Sequence, residues 1–252
     1  MRGGRQRGGG RSGVEAAAAI VDELRAAGTA EKRAVLMRFF KTGPGEYGEG
    51  DRFFGVMVPQ IRAIAAAHAG ESGPVVERAL LRLPWHEARE CGLFLMAGRF
   101  RRGGESEKEA LHRAYLEALA AGRINNWDLV DCSAPTLLGE WLGKRPRGVL
   151  YDLAGRPGLW ENRAAVVATL AFIRRGDLDD AFRLCERLLG HRHDLLHKAV
   201  GWMLRECGKR DAGRLRAFLS RHAGAMPRTA LRYAIERFPA DERRRWLGKE
   251  KT

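Results

Sequence analysis

Apolar residues recur at intervals of three and four along nearly the whole chain, the period of one face of an α-helix. The pattern predicts helices over residues 14–27, 30–41, 59–68, 74–83, 86–99, 107–121, 127–144, 148–153, 159–174, 178–189, 194–209, 212–222 and 227–238. Pro59 falls in the first turn of its helix, where the missing amide hydrogen is no loss. Hardly any stretch alternates apolar and polar residues for long enough to make a sheet. The class expected is all-α. The run TGPGEYGEGDRFFGV, after Lys41, has too many glycines for a helix interior and reads as a long ordered loop.

Several helices look like variants of one inward-facing element. ARECGLFLM from Ala88, DLVDCSAPTLL from Asp128, NRAAVVATL from Asn162, HKAVGWMLRE from His197 and LRYAIERF from Leu231 recur at spacings of about 32 to 42 residues. Each helix pair can hide its apolar side only against a neighbour, so the expected architecture is a HEAT-like solenoid whose concave side carries the same helix of every pair. Arg89, Arg163, Lys198 and Arg232 recur on those inner helices. One such cation is an ordinary solvated side chain; a series of them suggests a stripe for phosphates.

Charge strengthens that expectation. The 252 residues carry 45 Lys plus Arg against 31 Asp plus Glu, a formal net charge of +14, which attracts nucleic acid or an anionic surface. No apolar stretch is long enough to span a bilayer, and no apolar signal core follows the opening MRGGRQRGGGRSG, so a cytoplasmic protein is expected. The expected organisation is a flexible basic arm over residues 1–13, one repeat domain over 14–247 and a polar tail over 248–252. Cys91, Cys132, Cys185 and Cys207 are scattered without a CxxC pair and read as buried, reduced thiols. The histidines form no compact ligand motif, so neither a metal nor any other cofactor is expected. Nothing points to a helix-turn-helix, zinc finger or RRM, so duplex recognition by shape is expected over base reading.

The stretch INNWDLVDCSAPTLLGEWL, from Ile124 to Leu142, concentrates the candidate chemistry. Asn126 can cap a helix that carries Trp127 and Asp128 in its first turn and Asp131 one turn later, while Leu129, Val130, Leu137, Leu138, Trp141 and Leu142 supply a buried side. An aromatic plate and a carboxylate four residues apart share a face.

NNWDLVD and SAPTLLGEWL, with LWENRAAVVATLAFI, LHKAVGWMLRECGK and MPRTALRYAIE, together resemble the AlkD-type family of alkylpurine DNA glycosylases over roughly residues 30–238. The resemblance implies a single HEAT-like domain around a basic concave surface, probing duplex DNA through the lesion-bearing backbone without a deep pocket for the base. It implies release of cationic N7- or N3-alkylated purines such as 7-methylguanine, by a monofunctional, metal-independent hydrolase acting as a monomer with no obligate protein partner. It places the catalytic carboxylate on Asp131, the cleft tryptophans on Trp127 and Trp202, and the arginine holding the backbone on Arg163. A further cleft aromatic, a tyrosine in the family pattern, falls on Phe39, which lacks the hydroxyl. The alternative is a noncatalytic repeat protein binding unusual or damaged DNA; a protein-binding scaffold fits the charge least.

Overall fold

The computed structural model describes residues 11–248. Most of the expected arm, with Arg2, Arg5 and Arg7, and nearly all of the expected tail lie outside the described residues. The described elements are helical, apart from an isolated parallel bridge between Arg52 and Trp85, and are consistent with a HEAT-like stack of helices. No described helix is long and apolar enough to cross a membrane. The chain divides into two compact units, residues 1–103 and 104–252.

The first unit contains α1 (Gly13–Ala27), α2 (Ala30–Phe39), α3 (Val58–Ala67), α4 (Pro74–Leu81) and α5 (His86–Arg102). Ser12 starts α1 with a capping box: its Oγ accepts from the Glu15 amide at 3.3 Å, and Glu15 accepts in return from the Ser12 amide at 2.7 Å. Ser12 and Gly13 thus belong to the start of α1. Ile20, Leu24, Ile61, Val76, Leu80, Ala88 and Cys91 close the core between α1, α3, α4 and α5.

The glycine-rich run is ordered, as its composition predicts, and the physical reason lies on α5. Fully buried Glu87 accepts from three successive amides, Phe54 at 3.0 Å, Gly55 at 2.8 Å and Val56 at 3.1 Å. An extended segment with no partner strand thus has its donors satisfied by one carboxylate. Gly55 sits at φ +94, and a Cβ there would collide with the Thr29 carbonyl.

The second unit runs α6 (Glu105–Ala120), α7 (Trp127–Ala134), a π-helical segment (Pro135–Glu140), α8 (Gly148–Ala154), α9 (Leu159–Ala168), α10 (Leu170–Ile173), α11 (Asp179–Leu188), α12 (Asp194–Arg210), α13 (Ala212–His222), α14 (Arg228–Ala234) and α15 (Ala240–Gly248). Two expected helices are interrupted. Pro135 has no amide hydrogen to return to the Asp131 carbonyl, and the helix widens into π turns there. Thr169 donates its hydroxyl to the Val166 carbonyl at 2.6 Å and separates α9 from α10. Helix α15 escapes the periodic reading because it buries no residue.

Helix α9 is surrounded: Asn162 through Ala168 are all buried. Its neighbour, the π segment, approaches closely because Gly139 has no side chain. A Cβ at Gly139 would stand 2.7 Å from the Ala171 Cβ and collide with the Ala168 carbonyl. Since the obstacle includes backbone, Gly139→Ala is expected to destabilise the fold by about 1–3 kcal/mol. Urea unfolding measures this; an unchanged midpoint would mean that the two segments separate at no cost.

Candidate functional site

Helix α7 begins at buried Asn126, whose extended backbone and side-chain oxygen, accepting from the Trp127 amide at 2.8 Å, set the helix start. Trp127 is then the first helical residue and is half-buried; Asp128 is buried, and its carboxylate accepts from the Leu129 amide at 2.8 Å. Leu129, Val130, Leu137, Leu138, Trp141 and Leu142 are all buried, as their spacing predicts. This anchors the opposite, Asp131-bearing side of α7.

Asp131 meets Arg163 of α9 in a two-point pair. Arg163 Nε donates to Oδ1 at 2.9 Å and Nη2 to Oδ2 at 2.7 Å. The third nitrogen, Nη1, donates to the Leu195 carbonyl at 2.5 Å, in the first turn of α12. Three elements therefore converge on one guanidinium. The arginine side chain is only 6% exposed and that of Asp131 19%, so the acid is the more accessible member of the pair.

Burial raises the Asp131 pKa above the ordinary carboxylate value, Arg163 opposes it, and neighbouring Asp128 adds to the rise. The fork-on-carboxylate geometry is that of the ionised acid. What the arrangement offers chemically is a negative charge fixed in direction and partly stripped of water, suited to stabilising a cationic centre brought beside it.

Trp202 lies two turns beyond Leu195 on α12 and is half-buried. It borders an open cavity of about 380 Å³ lined also by Leu170, Ile173, Arg174, Glu206, Lys209 and Arg210; Asp131 and Arg163 are not in that lining. The structure thus joins Asp131 and Arg163 directly, sets Trp127 one turn from the carboxylate, and puts Trp202 on a neighbouring groove with its own cations. Lys198 is half-exposed and paired with Asp194 at 2.9 Å, and Arg232 is exposed on α14.

One expectation changes. Arg89 was expected on a phosphate stripe, but it is buried in the first unit, where its Nη2 lies 2.6 Å from Asp51 Oδ1. Asp51 also accepts from His86 at 3.1 Å; burial works against its ionisation, yet these two partners hold its pKa below the ordinary value. Arg163, which the resemblance places on the DNA backbone, has its nitrogens on Asp131 and Leu195 in this structure. Phe39, at the end of α2, is 60% exposed and edge-on to buried Phe40, which stacks on Phe53. Cys91, Cys185 and Cys207 are buried and free as expected, while Cys132 is partly exposed.

The Leu195 carbonyl is the part of the site that side-chain reasoning misses, because any residue type presents the same oxygen. The signal available was positional: a helix start in HRHDLL, one repeat after Arg163.

Paired helices around a clamped carboxylate define an all-helical protein with the makings of an electrostatic site. The chain belongs to the DNA alkylation repair enzyme family, whose model matches residues 20–238. A solved structure described as a predicted DNA alkylation repair enzyme from Enterococcus faecalis superposes with a TM-score of 0.66 at 17% identity, covering 84% of this chain and 97% of that one; at this identity the likeness speaks for the fold. No curated protein matches the sequence.

Proposed function

We propose that the protein is a DNA glycosylase that hydrolyses the N-glycosidic bond of N7- or N3-alkylated purines in duplex DNA. The observation that carries this reading is the Asp131 carboxylate, oriented at both oxygens by Arg163 on a side chain that keeps 19% of its surface exposed. Alkylation makes the purine cationic, so it departs as a neutral base with the electrons of the C1′–N9 bond and needs little proton donation. Positive charge then develops on the deoxyribose. Asp131 stabilises that charge and orients the water that adds to C1′, which loses a proton and leaves an abasic site.

In this reading Trp127 and Trp202 provide apolar walls with polarisable faces for the sugar cation. Arg163 serves first to hold the carboxylate. Lys198 and Arg232, with Arg174, Lys209 and Arg210 along the Trp202 groove, supply cations for the phosphates. Contacts with the lesion-bearing backbone do the positioning, so the damaged base need not enter a deep pocket.

The deciding assay incubates the full chain with duplex DNA containing 7-methylguanine and looks for free base and abasic DNA. Tight binding without release would favour the second reading, a noncatalytic binder of damaged DNA, to which the missing hydroxyl at Phe39 lends some weight. Binding itself is expected to weaken at least ~100-fold between about 50 and 200 mM salt, because several phosphates must be neutralised. A salt-independent affinity in a fluorescence titration would remove the basic surface from the account.

A further inference from the structure

The loop entering α12 carries His191 and His193, and α12 adds His197 one turn on; the chemistry above uses none of them. The hydrogen bonds of His191 and His193 fix their protonation. The His193 amide donates to His191 Nδ1 at 3.0 Å, and the Leu195 amide donates to His193 Nδ1 at 3.1 Å. An imidazole accepts at Nδ1 only when it is neutral with its proton on Nε2. His197 Nε2 lies 2.5 Å from the His191 carbonyl and donates to it.

His193 therefore occupies the N-cap position of α12, a place usually taken by Ser, Thr, Asp or Asn. The residue whose amide it captures is Leu195, and the carbonyl of that same residue receives Arg163 Nη1. We propose that His193 is a positioning residue: its neutral ring fixes the Leu195 backbone, Leu195 fixes the Arg163 fork, and Arg163 fixes the reacting edge of Asp131. The arrangement of Arg163 stands on geometry alone; its consequence for base release rests on the glycosylase reading.

The surroundings keep the ring neutral. Burial lowers the His193 pKa, His191, His197 and Arg163 of α9 lower it further, and Asp194, itself paired with Lys198, opposes them. His191 is lowered by burial and by His197. Both folded values lie below the unfolded one, so the stability contributed by the neutral rings is present above about pH 6.5 and is lost as pH falls through the lowered folded values. Protonation of His193 removes the acceptor from Leu195 and puts a cation beside Arg163.

The test compares the full-length wild type with His193→Ala and His193→Asn, reading the Arg163 Nε–H signal by NMR and single-turnover release of 7-methylguanine. In His193→Ala the Nε–H exchanges with water at least ~10-fold faster and release slows at least ~10-fold, as expected for a displaced reacting group. His193→Asn returns a side-chain acceptor to the cap and restores both, which a bulk packing role would not predict. In the wild type the Arg163 signal weakens in step with protonation of the His193 ring on acidification; in His193→Asn that step is absent. Unchanged exchange in His193→Ala, or an Arg163 signal indifferent to His193 protonation, overturns the proposal. If the signal responds as described but the wild type releases no base, the positioning role stands and the glycosylase reading falls.

Discussion

Asp131→Asn lowers single-turnover release of 7-methylguanine by at least ~100-fold, the scale of losing a principal electrostatic contributor to a charged transition state, while duplex binding persists. The substitution keeps the shape of the side chain and removes its charge. Arg163 loses a carboxylate but keeps the Leu195 carbonyl, so the α9 to α12 contact has an anchor left. Enzyme in excess over DNA separates the chemical step from affinity. Equal rates for the two proteins would leave the activity in place and sink the carboxylate mechanism.

Arg163→Ala is expected to act on both rate and stability, with opposite dependence on pH. Burial already raises the Asp131 pKa against the pull of Arg163, so removing the guanidinium leaves burial in command. Release of 7-methylguanine near neutral pH then falls at least ~100-fold, because the acid is protonated or misplaced, and partly recovers as pH rises. That recovery is what Asp131→Asn cannot show. Stability runs the other way. A carboxyl whose folded pKa lies above its unfolded value contributes fully below the unfolded pKa and loses that contribution as pH rises through the folded one. The variant is thus least stable in alkali, where an unpaired carboxylate stays partly buried; the deficit there is roughly 3 kcal/mol, at the lower end for breaking a buried pair since the Asp131 side chain keeps some exposure. Urea midpoints across pH check this, and a deficit constant from acid to alkali would show that Asp131 is not the group responsible.

Features set by neighbouring residues were legible from the sequence. The Asn126 start of α7, Pro59 in α3 and the buried series from Leu129 to Leu142 follow from caps and spacing that lie within a few residues of one another. Features decided between distant segments were not. Arg89 occupies the repeat position of Arg163, yet one fork turns to Asp51, 38 residues earlier, and the other to Asp131, 32 residues earlier. Periodicity could not tell that the first cation is sealed inside its unit. Pro135 and Thr169 sat in plain view, but apolar residues continue on both sides of each, so the helical period hid the π turns and the break at α10. Asp131, Trp127, Arg163 and Trp202 were named together by family resemblance, and the direct contact between the acid and the arginine is the part that the geometry adds.

The Glu87 clasp bears on how this chain tolerates changes of length. Its three amides restart the register at Phe54, whatever precedes them, and ahead of it the Glu46 and Glu49 side chains fold back onto the amides of Gly43 and Gly45. Gly45 and Gly50, both at positive φ, have open space where a side chain would project. The turn between them is held, since buried Gly48 packs against the Phe40 carbonyl and its amide donates to the Lys41 carbonyl, so the natural seam for a graft is Gly50 itself: residues inserted there lengthen a surface loop, while the clasp passes an unaltered frame to α3.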